Sequence, residues 1–136
     1  MHKLQLGRWT LIMGILNVTP DSFSDGGLYL NPQKAVLRAK QMIDEGADII
    51  DIGGESTRPG SSSVSKEEEL KRVIPVIKGI REKLGEKILL SIDTCKAAVV
   101  QEAIGVGVNI VNSLGGFLFD KKLANIVAKS GVTIII

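Results

Sequence analysis

Four polar side chains lie at or near the ends of short apolar runs in this sequence: Asn17, Asp51, Asp93 and Asn112. A carboxylate accepts hydrogen bonds from two donors and a carboxamide both donates and accepts, so the set suits a ligand with a mixed donor and acceptor edge. A turn cap for an amide, or a lysine partner for a carboxylate, is the structural alternative for each residue taken singly. If the runs are parallel strands, their carboxyl ends share one face and the side chains converge there. The sequence therefore predicts a binding site for a polar ligand.

A second group of residues suits an anion. Arg58 can bind a phosphate through two parallel hydrogen bonds, and Thr57 beside it is a neutral donor. Both lie in the polar segment 53–65, and another long polar segment covers 18–30. Connections in α/β units typically have about 2–6 residues, so segments of this length call for a functional explanation. The predicted ligand thus combines a polar head with an anionic group.

Several common chemistries lack the residues they need. The only histidine is His2, close to the amino end of the sequence, so a serine nucleophile has no histidine base. Cys95 lacks a base for the same reason. The glycine-rich turns follow neither P-loop nor dinucleotide-binding spacing. The residues therefore favour binding through polar contacts over nucleophilic catalysis or nucleotide binding.

Apolar, β-branched runs alternate with helical patterns along the chain. The runs predict buried parallel strands, apolar on both faces, at 11–16, 48–52, 88–92, 109–112 and 132–136. Asn31 before Pro32 predicts a capped helix start, and Ser65 with Glu68 has the spacing of a capping box. With their capping residues, the predicted helices cover 31–46, 65–85, 96–106 and 121–130.

This alternation requires right-handed crossovers and a parallel sheet. An open doubly wound sheet places function only near its switch point, whereas a (βα) barrel uses the carboxyl end of every strand. Because four strands end in polar residues, the sequence favours an α/β fold of the parallel (βα) TIM-barrel type. The chain covers about the first five strands and four helices of such a barrel. No linker divides residues 1–136, so we expect a single unit.

Composition sets the broad class. The chain has 136 residues, 44% hydrophobic and 24% charged, with a formal net charge of +2. This charge is too small to predict a nucleic-acid or membrane partner. The single cysteine, Cys95, is compatible with a reducing compartment, and no run approaches the roughly 20 apolar residues of a transmembrane helix. The expected location is the cytoplasm.

Two segments carry a family resemblance. MGILNVTPDSFSDGG (13–27) and DIGGESTRPGS (51–61) closely resemble the signature segments of dihydropteroate synthases, and SIDT (91–94) lies where the third-strand motif of that family belongs. The resemblance covers the whole chain. It implies a transferase of folate biosynthesis, the target of sulfonamides, that joins dihydropterin diphosphate to p-aminobenzoate on a TIM barrel. It also implies Mg²⁺ on the diphosphate.

The resemblance assigns roles residue by residue. Asn17 is the implied ligand of the Mg²⁺. Thr57 and Arg58 are implied contacts of the leaving diphosphate or the incoming amine, with Arg58 in a catalytic role. Asp93 and Asn112 are the implied partners of the hydrogen-bonding edge of the pterin. These assignments agree with the residue chemistry, because an edge with donors and acceptors needs carboxylate and amide partners.

Further roles concern the second substrate and the transition state. The resemblance implies that Phe23, Asp25 and Pro59 enclose p-aminobenzoate. Family chemistry implies that diphosphate departs first and leaves a pterin cation, which the arylamine attacks. Asp25 and Asp93 could stabilise that positive charge. Asp51 is predicted to belong to the substrate-binding set.

The sequence also departs from the family pattern. Ser113 follows Asn112 where the family usually has aspartate, and Cys95 stands where an aromatic residue is frequent. A (βα)₈ barrel takes about 250 residues, so the chain corresponds to the amino-terminal half of one. The resemblance implies a homodimer for the full-length enzyme and predicts that this chain alone is inactive. The alternatives are a non-catalytic half-barrel with a partial pterin site and a pterin-dependent corrinoid methyltransferase.

Overall fold

The structure, a computed structural model, describes residues 7, 9–19, 31–56 and 63–136. Strands and helices alternate as predicted, and each predicted boundary lies within two residues of the observed one. The elements are β1 (Met13–Asn17), α1 (Pro32–Asp44), β2 (Ile49–Gly53), α2 (Lys66–Leu84), β3 (Leu89–Asp93), α3 (Ala97–Gly105), β4 (Ile110–Asn112), α4 (Lys122–Ser130) and β5 (Thr133–Ile135). None of the helices in these ranges is long and apolar enough to cross a membrane.

Local sequence explains where the first two helices begin. The Asn31 side chain accepts a hydrogen bond from the backbone N–H of Gln33 at 2.9 Å, and Pro32 occupies the first helical position. At α2, the Ser65 hydroxyl accepts from the Glu68 N–H at 3.2 Å, which is half of the predicted capping box. The Glu68 carboxylate accepts from Arg72 Nε at 3.0 Å, so its side chain extends along the helix rather than back to the cap.

The five strands form one parallel sheet in the order β1-β2-β3-β4-β5. A doubly wound sheet would reverse its strand order at a switch point, whereas consecutive order is that of a (βα) barrel. All four helices pack on one face of the sheet, and apolar side chains form the core between them. Its strand members include Leu16, Ile50, Ile52, Leu90, Ile92 and Val111. The helices thus leave the opposite, concave face of the sheet for the site.

The concave face differs from the predicted pattern of strands buried on both sides. All residues of β2 are buried, as predicted. On β1, however, Ile15 is 64% exposed, and on β5 Ile135 is 38% exposed, so the prediction is wrong for these two strands. The reason is their position, because β1 and β5 are the edges of the described sheet and each has one neighbouring strand.

Arg81 ties together the amino ends of β3 and β4. Its guanidinium donates to the carbonyl oxygens of Gly85, Ile88 and Gly107 and to the side-chain oxygen of Asn109, at 2.6–3.1 Å. Burial is the main cause that lowers the pKa of Arg81. A planar group with five donors matches several acceptors in fixed positions, so this edge of the sheet has a structural role.

Candidate functional site

Three of the predicted site residues lie side by side at the carboxyl edge of the sheet. The strand register places Asn17 opposite Gly53, Gly53 opposite Asp93, and Asp93 opposite Asn112. Residues in one register row point to the same face of a sheet. The predicted convergence of Asn17, Asp93 and Asn112 is therefore confirmed, on the concave face that the helices leave uncovered.

Gly53 leaves a gap in the middle of this row. A Cβ atom at Gly53 would lie 3.5 Å from Asn17 Oδ1 and 3.7 Å from Asp93 Oδ2. The amide oxygen of β1 and the carboxylate of β3 therefore border the same small space. Because Gly53 has no side chain, a ligand can approach the backbone of β2 between them.

Asp51 lies one layer deeper than the other three residues. It precedes Gly53 by two positions on the same strand face and is only 4% exposed. Its Oδ2 accepts a hydrogen bond from Asn112 Nδ2 at 2.9 Å. Because a carboxylate can only accept, this contact fixes which end of the Asn112 amide points to Asp51. Asp51 thus orients a residue of the outer row.

Two buried polar atoms in the deeper layer have no hydrogen-bond partner among the described residues. They are Asp51 Oδ1 and the hydroxyl oxygen of Ser91, which are neighbours in the register of β2 and β3. Buried polar groups in native proteins are nearly always satisfied, so each exception calls for an explanation. Their position beneath the row of Asn17, Asp93 and Asn112 points to a partner that enters from the concave face.

The electrostatics of the site centre on Asp93. Burial, together with the negative charges of Asp51 and Glu69, raises the pKa of Asp93 from 3.8 to about 6. A carboxyl group that titrates near neutrality and lies in a cleft is typical of functional sites. At neutral pH the ionised form is favoured and can accept two hydrogen bonds, or lie against a positive charge.

A partly buried ionic cluster lies next to the carboxyl ends of β2 and β3, and the sequence reasoning missed it. Lys96 Nζ binds the carboxylates of Glu55 and Glu69, the latter at 2.6 Å. Glu55 lies within the GGESTRPG signature, and Lys96 lies two residues after SIDT. Each residue is therefore in or next to a recognised motif. Their pairing joins residues 41 positions apart and has no signal in local sequence.

Gly54 allows α2 to approach the end of β2. A Cβ atom there would lie 2.8 Å from Val73 Cγ1 and 2.9 Å from Glu69 Cγ, distances that real structures avoid. Arg72 completes the junction by donating from Nη1 to the Gly54 carbonyl at 2.9 Å. The two glycines therefore have different roles. Gly53 leaves a gap between Asn17 and Asp93, and Gly54 allows α2 to pack closely against the end of β2.

Five of the predicted site residues lie outside the described residues, namely Phe23, Asp25, Thr57, Arg58 and Pro59. The two departures from the family pattern are described. Ser113 is 1% exposed, and it donates from its backbone N–H to Ile135 O and from its hydroxyl to Gly116 O, both at 3.0 Å. Cys95 is partly buried, and burial is the main cause that raises its pKa. Ser113 thus closes the turn after β4.

No group of three or more His, Cys, Asp and Glu side chains suited to a metal ion occurs in the ranges that the structure covers. Mg²⁺ commonly binds through one or two protein oxygens plus substrate phosphates and water, rather than in an all-protein cage. The oxygen donors that border the gap at Gly53 fit that mode of binding.

Consecutive parallel strands, helices on one face and a polar row at the carboxyl edge define one half of a (βα) barrel. The sequence profile described as "Pterin binding enzyme" matches residues 13–136. This chain belongs to that family, which confirms the resemblance.

Two of the similar curated proteins are dihydropteroate synthases. The enzyme of Bacillus subtilis (strain 168) is 56% identical over 127 residues, which is 93% of this chain and 44% of the relative. The enzyme of Clostridium beijerinckii is 54% identical over 130 residues, which is 96% of this chain and 48% of the relative. The chain thus spans about half the length of the curated relatives it matches.

Solved structures agree with this fold. The dihydropteroate synthase of Clostridium difficile in the presence of pteroic acid matches with a TM-score of 0.88 and 53% identity, over 97% of this chain and 49% of that one. The enzyme of Xanthomonas albilineans with 4-aminobenzoic acid matches with a TM-score of 0.84 and 43% identity, over 91% of this chain and 45% of that one. The predicted fold class, a parallel (βα) barrel of the TIM type represented by five strands and four helices, is therefore confirmed.

Proposed function

We propose that this chain is the amino-terminal half of a dihydropteroate synthase. The reaction joins 6-hydroxymethyl-7,8-dihydropterin diphosphate to p-aminobenzoate and gives 7,8-dihydropteroate and diphosphate. The observation that carries the proposal is the placement of Asp93 beside Asn112 at the carboxyl edge, above the unpartnered atoms of Asp51 and Ser91. The Clostridium difficile and Xanthomonas albilineans enzymes, which were solved with pteroic acid and with 4-aminobenzoic acid, support the two substrate classes.

The pterin is the ligand that the described residues suit best. Its aminopyrimidine edge presents N–H donors, and the Asp93 carboxylate can accept hydrogen bonds from them. Asn112, held by Asp51 at 2.9 Å, offers its remaining amide atoms in a fixed orientation. Preorganised partners of this kind need little rearrangement when the ligand binds. We assign pterin binding to Asp93 and Asn112, with Asp51 as the residue that orients Asn112.

The bond changes in the proposed reaction are simple. The C–O bond between the exocyclic methylene carbon and the diphosphate breaks, and its electron pair leaves with the diphosphate. The amine nitrogen of p-aminobenzoate then forms a C–N bond to that carbon and loses a proton. We assign to the negative charge of Asp93 the stabilisation of the positive pterin between these events. From the family resemblance, we assign Asp25 to the same task and Thr57 and Arg58 to the diphosphate, with Phe23 and Pro59 beside p-aminobenzoate.

Mg²⁺ is the implied cofactor, and the residue that would hold it is Asn17. Its Oδ1 borders the gap at Gly53, and an amide oxygen is a suitable ligand for this ion. When bound, Mg²⁺ would neutralise charge on the diphosphate and make it a better leaving group. The homodimer implied by the resemblance and the cytoplasmic location expected from composition stay predictions, as does the interpretation of residues 1–136 as a single unit.

The proposal is tested by measuring pterin affinity in Asp93→Asn. This change keeps the shape but removes the charge, so calorimetry should show a loss of roughly 1.5–3 kcal/mol in binding dihydropterin diphosphate. Asp44→Asn is the matched control, because Asp44 forms an exposed pair with Lys40 on α1. Equal affinity in Asp93→Asn and the parent protein would contradict the assigned role.

A second experiment tests the metal and the activity. In this chain completed by a separately made carboxyl-terminal half, Asn17→Ala should leave the fold intact, weaken diphosphate binding in the presence of Mg²⁺ and leave binding without Mg²⁺ little changed. An Mg²⁺ effect of equal size in both proteins would contradict the role of Asn17. Mixing this chain with a separately made carboxyl-terminal half should restore product formation. Pterin binding without turnover in that mixture would instead support a non-catalytic pterin-binding protein.

A further inference from the structure

Lys96 joins three parts of the chain at the carboxyl edge. Its ammonium group binds Glu55, which follows β2, and Glu69, which lies in the first turn of α2. Its backbone N–H donates to Thr94 Oγ1 at 3.2 Å, and the Thr94 N–H donates to Asn112 O at 3.1 Å. The lysine is therefore fixed at both its backbone and its side chain to elements that carry the site.

The three charges are shielded from solvent to different degrees. The side chain of Glu69 is 1% exposed, whereas those of Lys96 and Glu55 are 23% and 26% exposed. A buried carboxylate without a cation is strongly unfavourable, so Glu69 needs Lys96. Although burial alone would lower it, the hydrogen bonds and charges of both glutamates raise the pKa of Lys96. Lys96 therefore keeps its positive charge at neutral pH between the two glutamates.

Glu55 also makes a contact that Glu69 does not. Its Oε1 accepts a hydrogen bond from the backbone N–H of Val64 at 3.3 Å. Glu55 and Val64 lie on either side of residues 57–62 in the sequence, so this bond joins the two ends of the connection from β2 to α2. With one carboxylate oxygen on Lys96 and the other on Val64, Glu55 links that connection to the start of α3.

We propose that Lys96 is a positioning residue, which holds Glu55 where it binds Val64 and thereby fixes the two ends of the connection between β2 and α2. The role is separate from the pairing of Glu69, which serves stability. The catalytic consequence rests on the proposed function, because Thr57 and Arg58 belong to this connection in the sequence. The positioning itself does not depend on any activity.

Amide hydrogen exchange at Val64 reports the positioning directly. In Lys96→Met, Glu55 loses its cation, and exchange at Val64 should become roughly two- to tenfold faster, the factor expected for one hydrogen bond. The urea midpoint should fall as well, because Glu69 is left buried without a partner. The Gly85 amide, which donates to Arg81 O at the opposite edge of the sheet, serves as the internal reference.

A double variant separates positioning from stability. Adding Glu69→Gln to Lys96→Met removes the unpaired buried charge, so the urea midpoint should recover while exchange at Val64 stays fast. Lys40→Met is the control, since the Lys40 and Asp44 side chains are 53% and 61% exposed and their pair should affect neither measurement. If Val64 exchange is unchanged in the double variant, or recovers together with the midpoint, Lys96 is not a positioning residue. If Lys96→Met alone does not fold, the double variant still gives this answer.

Discussion

Two neighbouring glycines at the end of β2 lie in very different surroundings, and a methyl group added to each should have opposite effects on stability. At Gly54 the added carbon would lie 2.8 Å from Val73 Cγ1 and 2.9 Å from Glu69 Cγ. Val73 and Glu69 are 0% and 1% exposed, so neither side chain can move into solvent. At Gly53 the nearest atoms are at 3.5 and 3.7 Å, which is ordinary contact.

The size of the difference follows from packing and chain entropy. Overpacking a buried site costs about 1–3 kcal/mol, so Gly54→Ala should lower the free energy of unfolding by that amount. Alanine also restricts the unfolded chain, which stabilises the protein by about 0.4–1 kcal/mol where the native backbone tolerates it. Gly53→Ala should raise the free energy of unfolding by part of this amount, because its added methyl group meets no close contact. The two variants should therefore differ by roughly 1–4 kcal/mol.

Urea unfolding followed by circular dichroism measures this difference, provided that the slopes with urea are equal. A ligand titration completes the test, because a methyl group at Gly53 reaches the space between Asn17 and Asp93. Gly53→Ala should therefore bind dihydropterin diphosphate more weakly than the parent protein while unfolding at the same or a higher urea concentration. Equal free energies of unfolding for Gly53→Ala and Gly54→Ala would refute the packing argument.

Three further predictions concern other parts of the sheet. Arg81→Lys should lower the free energy of unfolding by about 1.5–3 kcal/mol, as expected for hydrogen bonds of a charged group, and leave pterin affinity unchanged; unaltered stability would contradict the role of Arg81. Because the folded state raises the pKa of Asp93 from 3.8 to about 6, it binds that proton more tightly than the unfolded state does. The free energy of unfolding should therefore fall as the pH rises between these two values. Asp93→Asn should make this dependence on pH less steep. An equal slope in both proteins would contradict the raised pKa of Asp93. The edges β1 and β5 should make the 136-residue chain, produced alone, associate or aggregate without synthase activity, as measured by light scattering and product formation. A monodisperse, active monomer would contradict this last expectation.

The elements of the fold could be predicted because their signals are local. Asn31 and Ser65 cap helices through contacts within three residues, and short apolar runs mark the strands. The row of Asn17, Asp93 and Asn112 could also be predicted, because parallel strands bring their carboxyl ends to one edge without any detailed knowledge of register.

The parts of the site that were missed depend on register and on distant contacts. Asp51 was placed with the row, but the pairing of Ile15, Asp51 and Ser91 puts it one layer deeper, where it holds Asn112. The contacts of Lys96 with Glu55 and Glu69 span 41 and 27 residues. A lone charged residue in a sequence is most often solvated, so composition gives no reason to pair these three.

The two edges of the sheet differ in how their polar groups are satisfied, and this difference explains where function can reside. At the amino edge, the donors of Arg81 meet carbonyl oxygens and Asn109, and none of the unpartnered buried side-chain atoms of the described residues lies there. At the carboxyl edge, Asp51 Oδ1 and the Ser91 hydroxyl lack partners among the described residues, and burial raises the pKa of Asp93. Such groups cost stability until a ligand or another part of the barrel supplies donors. Burial of the apolar core between the sheet and the helices offsets that cost. The fold can therefore tolerate the unpartnered atoms of Asp51 and Ser91 at the carboxyl edge until a ligand binds them.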